Sequence, residues 1–308
     1  MSSALAHEET GRGQGVHPAH RGSIFLEDGS VVAQDTWPGE QFVLRVAAPK
    51  CAARALPGSF VHLTCDPDVP MRRPLSIQRV NAQEGWIEIL YKIVGPGLRA
   101  LSRRRVGDPI SVLGPIGQPF RPDPKRPRAL LVGGGVGIPP MVFLAEWMME
   151  QPGKPWAPLV LMGSEIPFPF KPRPSTILVP GIPAGSIAAM PLLDGWGVPS
   201  RLASKAGFAG CYDGFVTQLA DEWLGALDAS TRAQVEVFSC GPTPMLQAMA
   251  RVAAKHDVPC QVSLEEFMAC AVGGCAGCTV KVVTPDGPAM KRVCVDGPVF
   301  DSRAVFAQ

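Results

Sequence analysis

The pattern of hydrophobic positions divides the chain into parts of different character. Between residues 23 and 119, short apolar runs are separated by turns, and Trp86–Ile93 contains the polar–apolar alternation of a strand. Frequent Gly and Pro between such runs predict a small antiparallel barrel. The other strands predicted here are Gln41–Ala47, Ser59–Thr64 and Pro109–Leu113.

Behind a proline-punctuated charged linker at Arg121–Arg128, strand-like and helix-like segments alternate. Ala129–Val132 is typical of a buried strand and is followed by a glycine turn and a helix through Glu150. This alternation predicts a parallel α/β sheet. Its further elements are the strands Leu159–Met162 and Val235–Ser239 and the helices Gly214–Leu227 and Thr243–His256. The proline-rich stretch Ile166–Pro199 is predicted to be a long irregular insert without helix.

The C-terminal part combines a cysteine-dense loop with two strand-like runs, Thr279–Val283 and Ala289–Val295, around a Pro-Asp-Gly turn. The chain is therefore expected to be α/β plus β in class, with a third small unit. The expected division is a disordered tail at 1–22, a barrel at 23–124, a nucleotide-binding α/β domain at 125–257 and a cysteine-based unit at 258–308.

Composition narrows the functional classes. The 308 residues are 46% hydrophobic with a net charge of +2 and no long basic run, which argues against nucleic acid as a partner. Glycines and prolines interrupt the apolar stretch Ala129–Met149, so no membrane association is expected. Residues 1–22 lack an apolar secretory segment, and their three histidines are expected to be solvated. Nine cysteines without secretory context favour a reduced, cytoplasmic setting with metal-binding thiolates.

The most specific motif is CAVGGCAGC, which spaces Cys270, Cys275 and Cys278 and is followed by Cys294. Four thiolates can hold two irons, and the glycines of the motif permit the tight curvature that three ligands from one loop require. The spacing is that of plant-type [2Fe–2S] clusters. A four-cysteine zinc site and unligated core thiols are the alternatives, although zinc knuckles usually come as paired C-x2-C units.

A second motif, LVGGGVGIPP, lies between the predicted strand and helix after residue 129. Such a turn can place backbone N–H groups against a pyrophosphate, although a proline stands near the position of the third glycine of the usual fingerprint. A plain tight turn is the alternative. The glycines concerned are Gly133, Gly134, Gly135 and Gly137.

Two further segments, Arg72–Ser76 and Cys240–Gly241, are weaker candidates for cofactor binding. In Arg72–Ser76, an arginine can pair with phosphate and the serine hydroxyl can hydrogen-bond a flavin ring nitrogen, but solvated arginines on a surface strand explain it equally well. Cys240 and Gly241 follow a strand and precede a helix, at the edge of the sheet where ligands bind. A lone cysteine there is more often buried packing, and Tyr91 could stack on a cofactor or pack in the barrel.

Taken in order, these motifs resemble the ferredoxin–NADP reductase superfamily, and most of all the electron-transfer subunits of dihydroorotate dehydrogenase B. The resemblance covers residues ~23–306. The segments that carry it are RPLS, LYKIVGPGL, LGPIGQPF, GGGVGIPP, CGPTPML, SLEEFMAC and CVDGPVFD. One departure is Ala271, which stands where a glycine is usual in the cluster loop.

The resemblance implies cofactors, partners and roles. FAD, a [2Fe–2S] cluster and NAD or NADP would be bound, and no catalytic acid–base residue is expected. The partner would be an FMN-containing dehydrogenase catalytic subunit in a hetero-oligomer, with dihydroorotate oxidation in pyrimidine biosynthesis as the overall reaction. The FAD site would be formed by Arg73, Pro74, Leu75, Ser76, Leu90, Tyr91, Lys92, Gly97 and Leu98.

The preferred nicotinamide is left open by the sequence. Ser204 and Lys205 stand where NAD-linked relatives typically have acidic residues, and a hydroxyl beside a cation resembles a site for the 2′-phosphate of NADP. A solvated lysine in an NADH-using protein is an equal alternative.

Two other functions remain open. One is a related reductase subunit that serves ferredoxin, sulfide or hydrogenase chemistry, and the other is a redox-sensing regulatory protein. The sequence shows no substrate pocket that would decide between them.

Overall fold

The computed structural model describes residues 22–306. The tail predicted for 1–22, with its histidines, lies outside the described residues except for Gly22. Within the described chain, no helix is both long enough and apolar enough to cross a membrane.

The first part of the chain folds into a closed six-stranded antiparallel barrel, as predicted. Its strands follow one another in the order β1-β2-β5-β4-β3-β6. Alternate residues such as Leu44 and Val46 point into the barrel because successive strand side chains face opposite sides. The elements are β1 (Phe25–Trp37), β2 (Gln41–Ala47), α1 (Pro49–Ala52), β3 (Phe60–Leu63), β4 (Arg73–Asn81), β5 (Trp86–Lys92), α2 (Gly95–Leu101) and β6 (Pro109–Ile116).

The second part is a seven-stranded sheet, in the order β12-β11-β8-β7-β13-β14-β17, in which the edge strand β17 is Val299–Asp301. All pairs are parallel except β14 with β17. Helix α3 packs on one face, and α5 and α7 pack on the other, which buries both faces of the sheet. The elements are β7 (Arg128–Gly134), α3 (Ile138–Glu150), β8 (Ala157–Gly163), β11 (Ser200–Ser204), β12 (Tyr212–Asp213), α5 (Val216–Ala226), α6 (Ala229–Arg232), β13 (Val235–Cys240), α7 (Thr243–Lys255) and β14 (Cys260–Ser263).

The prediction that Ile166–Pro199 has no helix is wrong in one place. A short helix, α4 (Pro191–Gly195), begins with a proline, whose fixed φ suits the first helical position. A small ladder joins β9 (Arg173–Pro174) to β10 (Ala188–Ala189). The buried guanidinium of Arg201 donates to the Ile177 carbonyl and so fastens the insert to β11.

The C-terminal unit carries the predicted hairpin, formed by β15 (Thr279–Thr284) and β16 (Gly287–Arg292). After it, β17 (Val299–Asp301) returns to the edge of the sheet and pairs with β14, and α8 (Ser302–Val305) follows. Residues 257 and 258, where the sequence predicts the boundary, lie between α7 and β14, and the division into domains stays a prediction.

A bidentate ion pair joins the barrel to the sheet domain. Arg79 on β4 donates to both carboxylate oxygens of Glu146 on α3, at 2.6–3.2 Å, and its guanidinium also lies over the Trp196 ring, 5.1 Å from the ring centroid. Both ion-pair side chains are largely buried. This pair therefore contributes to the relative placement of the two domains.

Replacing Arg79 with alanine is expected to destabilise the folded protein by about 3 kcal/mol, because Glu146 would keep a buried charge without a partner. Urea unfolding measures the decrease in the free energy of unfolding. Arg99→Ala is the matched control, since Arg99 pairs with Glu40 at the surface of the barrel and both side chains are exposed. An equal decrease in the free energy of unfolding in the two variants would contradict a special role of the Arg79–Glu146 pair between the two domains.

Candidate cofactor-binding site

The cysteine loop adopts the tight curvature that its glycines suggested. Gly273 has φ +80°, and the residues that flank it in the motif, Ala271 and Ala276, have φ values of +57° and +55°. The left-handed conformation of Ala271 explains why a glycine is suited to this position. Backbone N–H groups point at the sulfurs: Cys275 donates to Cys270 Sγ, and Gly277 donates to Cys275 Sγ, both at 3.4 Å.

The four thiols group as two pairs, Cys270 with Cys275 and Cys278 with Cys294. Within residues 22–306, no three His, Cys, Asp or Glu side chains converge closely enough to hold one metal ion. Two neighbouring pairs of thiols, with the Cys270 thiol also acting on Cys294, suit a cluster of two irons better than a single tetrahedral zinc site. The donor set therefore fits a [2Fe–2S] cluster.

The thiols differ in how readily they ionise. Burial opposes ionisation of Cys270, yet backbone N–H groups of its own loop bring its pKa down to about 7. Burial raises the pKa of Cys294 to about 12, and the neighbouring Cys278 adds to the effect. Cys294 therefore needs the positive charge of a metal to become a thiolate ligand.

The glycine motif forms the turn between β7 and α3. Residues 135–137 make a single 3-10 turn, and Gly135 has φ +55°. Gly137 allows the backbone of this turn to pass directly against β13: a Cβ there would overlap the Cys240 carbonyl and lie 2.5 Å from Gly241 N. The turn thus brings two predicted sites together, the glycines of β7 and Cys240–Gly241.

A carboxylate that the sequence analysis missed lies beside Cys240. Burial raises the pKa of this thiol well above its usual value, and the Glu265 carboxylate opposes its ionisation further. Glu265 follows β14, a strand that was not predicted, so its place at the carboxyl edge of the sheet could not be foreseen. The Met245 side chain also packs against Gly134 and Gly241, and it fits there because neither glycine has a side chain.

Arg73 lies against the N-terminal half of α2. A Cβ on Gly97 would be 2.8 Å from Arg73 Nη2, so the guanidinium and the helix backbone are in close contact. By contrast, Arg72 donates to the carbonyls of His62 and Ser111 and so stabilises the barrel. Of the two arginines, Arg73 is the one that is available for a phosphate, because within residues 22–306 its hydrogen bonds go only to the carbonyls of Met71 and Arg72.

The other predicted FAD residues divide by exposure. Pro74, Ser76 and Lys92 are partly exposed, whereas the side chains of Leu75, Leu90 and Leu98 are buried. Tyr91 is 1% exposed, stacks on Phe42 and donates to Gln34 Oε1 at 2.9 Å. These contacts favour packing in the barrel for the Tyr91 side chain.

Ser204 and Lys205 lie at the end of β11, but their polar groups have partners. The Ser204 hydroxyl is buried and accepts from Ala206 N at 3.1 Å. The Lys205 ammonium lies 4.9 Å from the centroid of the Phe215 ring, and its backbone N–H points towards Glu165 Oε1 at 3.5 Å. This arrangement does not favour the predicted 2′-phosphate site.

Comparisons with known proteins agree with this geometry. Residues 265–306 match the family described as the iron-sulfur cluster binding domain of dihydroorotate dehydrogenase B. The dihydroorotate dehydrogenase B (NAD(+)) electron transfer subunit of Caldanaerobacter subterraneus subsp. tengcongensis is 35% identical over 81% of this chain and 87% of its own. The corresponding subunit of Desulforamulus reducens is 30% identical, over 89% of this chain and 96% of its own.

Solved structures show the same fold. An NADH-dependent reduced ferredoxin–NADP oxidoreductase, studied for flavin-based electron bifurcation, superposes with a TM-score of 0.71 at 25% identity, covering 90% of this chain and 89% of that one. The ferredoxin reductase of carbazole 1,9a-dioxygenase shares the fold, with a TM-score of 0.57 at 22% identity over 77% of this chain and 67% of that one. Together with the cysteine pairs and the barrel, these likenesses show that the chain belongs to the family of dihydroorotate dehydrogenase B electron transfer subunits.

Proposed function

We propose that this chain passes electrons between a nicotinamide dinucleotide and an FMN-containing catalytic subunit through FAD and a [2Fe–2S] cluster, in dihydroorotate oxidation. The observation that carries the proposal is a shared core. Phe60 and Ile116 of the barrel pack in one hydrophobic cluster with the sheet and with Cys278 and Cys294. The flavin, nucleotide and cluster sites are thereby held in one body, as electron transfer between them requires.

The bound groups supply the chemistry: a flavin takes two electrons as a hydride and releases them one at a time, and an iron-sulfur cluster takes single electrons. The chain binds and orients these groups. In this proposal Arg73 and the backbone of α2 hold the FAD pyrophosphate, and Ser76 lies at the flavin edge. The glycine turn before α3 holds the pyrophosphate of the second dinucleotide, and the four cysteines are the cluster ligands.

The decisive experiment uses the purified full-length protein with its cofactors. Under anaerobic conditions, an excess of NADH should bleach the flavin and then produce the electron paramagnetic resonance of a reduced [2Fe–2S] cluster, since the two groups together take three electrons and each NADH supplies two. Co-purification from the native host should recover an FMN-containing partner. A flavin that NADH does not reduce would contradict the proposal.

A second candidate is a subunit that serves ferredoxin chemistry, which the likeness to the NADH-dependent ferredoxin–NADP oxidoreductase favours. This candidate stands second because the sequence identity is higher with the dihydroorotate dehydrogenase subunits. The co-purified partner distinguishes the two, because only a partner with FMN that oxidises dihydroorotate agrees with the first.

From the sequence, the cluster segment and Phe300 near the C-terminus are the candidates for the partner surface. Phe300 is instead partly buried, and its ring fits against Gly297, where no side chain intervenes. Phe267, three residues before Cys270, is 94% exposed. We propose Phe267 as the aromatic anchor for the catalytic subunit.

Arg73→Ala is expected to weaken FAD binding roughly tenfold to hundredfold, because a charge-assisted hydrogen bond to phosphate is worth about 1.5–3 kcal/mol. Titration of the apoprotein with FAD, followed by flavin fluorescence, gives the dissociation constants. Arg103→Ala, a change at an exposed arginine after α2, is the matched control. Equal affinities of the Arg73 variant and the wild type would count against the assignment.

For the nicotinamide we propose NADH, because the Ser204 hydroxyl is buried and Glu165 lies beside Lys205. A carboxylate near the ribose repels a 2′-phosphate. The ratio of kcat/KM for NADH to that for NADPH should therefore exceed about ten, a difference of ~1.4 kcal/mol. A preference for NADPH that Lys205→Ala abolishes would instead support the original expectation of a phosphate site.

A further inference from the structure

Gln41, the first residue of β2, lies where the barrel meets the sheet domain, and its side chain is 3% exposed. The amide nitrogen donates to the Pro38 carbonyl in the turn between β1 and β2, at 2.8 Å. It also donates to the Pro167 carbonyl in the loop after β8, at 2.7 Å. Because a side-chain amide has two N–H hydrogens, one is used within the barrel and the other reaches across to the sheet domain.

The turn before Gln41 is shaped to fit against the same loop. Gly39 has φ +81°, and a Cβ there would lie 2.9 Å from Ile166 Cδ1. The loop has a fixed shape of its own, since the Ser164 hydroxyl donates to the Ile166 carbonyl at 2.7 Å and accepts from the Ile166 N–H at 3.3 Å. The contact therefore joins two segments that each have a defined conformation.

Beside this contact the two surfaces separate. A cavity of about 480 Å³ lies between the β1–β2 turn, the start of the insert and the segment after β11, and its apolar lining includes Trp37, Phe168 and Phe208. Side chains that face each other across a cavity gain no dispersion energy from one another. The hydrogen bonds of Gln41 are thus a directional contact that fixes the two surfaces at the margin of the cavity.

The Gln41 contact is separate from the attachment at α3. There, the Arg79 ion pair and the packing of Phe143 in the barrel core join α3 to the barrel. On β5, Gln41 pairs with Lys92 and Arg79 pairs with Glu88, and this difference in register corresponds to about 13 Å along the strand. Two attachments at this separation oppose rotation of one domain against the other, whereas the α3 attachment alone would act as a pivot.

We propose that Gln41 is a positioning residue for hydride transfer, because it holds the sheet domain in one orientation relative to the barrel. This rests on the proposed function, in which the barrel binds FAD and the glycine turn before α3 binds the nicotinamide dinucleotide. That reaction moves a hydride, a proton with two electrons, from the reduced nicotinamide to the flavin, so no further reactant is needed. Gln41 takes no part in the chemistry, and its loss should change the rate rather than the binding.

Flavin reduction by stopped flow tests this in the full-length protein loaded with FAD and cluster. Gln41→Met has a side chain of similar length without N–H groups. At saturating NADH its flavin should be reduced roughly tenfold more slowly, since a misplacement of about 1 Å can slow a reaction by about a hundredfold. The dissociation constant of NADH should change less than about twofold, because the glycine turn is untouched. Reduction by dithionite, which needs no nucleotide site, should be unchanged.

The matched control is Gln34→Met. The Gln34 amide also donates to two carbonyls, those of Ser102 and Arg104, but both lie in the barrel. This variant should keep the wild-type rate of reduction by NADH.

Hydrogen exchange of the amides in residues 164–170 gives a second result that does not depend on electron transfer. In Gln41→Met their protection should fall roughly fivefold, the effect of one lost hydrogen bond. In Gln34→Met it should stay at the wild-type level.

An unchanged rate or unchanged exchange protection in Gln41→Met would overturn the proposal, and so would an equal decrease in Gln34→Met. Weaker NADH binding with an unchanged rate would also overturn it. If Gln41→Met does not fold, Ile166→Ala replaces it, since this change removes the side chain that contacts Gly39 and leaves the barrel intact. A wild-type flavin that NADH does not reduce would contradict the proposed function instead, and the exchange result would still decide whether Gln41 holds the loop.

Discussion

Gly137→Ala is expected to destabilise the protein by about 3 kcal/mol or more and to abolish nucleotide binding. The added methyl group would overlap the Cys240 carbonyl, at the end of the central strand β13, and approach the backbone nitrogen of Gly241, the next residue. Overpacking in a core usually costs about 1–3 kcal/mol, and here the obstructing atoms have no rotamer to change. The turn must therefore move away from β13, and its N–H groups move with it.

Urea unfolding and NADH titration measure the two effects. Gly135→Ala is the matched control: Gly135 has φ +55° but nothing within 4 Å of an added Cβ, so it should lose only about 1 kcal/mol from backbone strain. Similar unfolding midpoints for the two variants would show that the close approach of the turn to β13 is unimportant.

Cys294→Ser is expected to remove the cluster almost entirely while leaving FAD in place. A serine hydroxyl does not become an anionic soft ligand at neutral pH, and Cys278 would lose its partner in the buried pair. FAD should be retained because its proposed ligands lie on the barrel. Flavin reduction by NADH should continue, whereas the paramagnetic signal of the reduced cluster should disappear.

Iron and acid-labile sulfide analysis of anaerobically prepared protein checks this result. Cys211→Ser is the matched control, since Cys211 is partly buried but lies outside the cysteine loop. Full iron and sulfide content in the Cys294 variant would refute the ligand assignment. Zinc without sulfide in the wild type would refute the cluster itself.

The sequence predicted best what depends on local spacing. The cysteine loop and the turn at residues 133–137 are short segments whose conformation is set by their own glycines, and the structure confirms the turns. The barrel strands were predicted where a short apolar run is bounded by turns, as in β2 and β5. The thirteen-residue strand β1 was missed because its apolar residues stand side by side rather than alternate with polar ones, and because it pairs with β2 over one part and with β6 over the other.

What depends on distant parts of the chain was harder to predict. Alternation shows that Tyr91 and its neighbours face opposite sides of a strand but not which side is the interior, so either role for Tyr91 was possible. The burial of the Ser204 hydroxyl depends on a turn to Ala206, which no motif indicates. The edge strand β17 is only three residues long, too short for any periodicity.

The pairing of β17 with β14 has a consequence for how the chain behaves when the cluster is lost. Ser263 and Val299 are cross-strand partners, so residues 264–298 form a closed loop whose two ends are clamped beside each other. A clamped loop gains less conformational freedom on opening than a free tail of equal length, because its ends stay joined. A protein that has lost its cluster by oxidation should therefore keep its four cysteines near one another. The cluster could then be reassembled without refolding of the sheet.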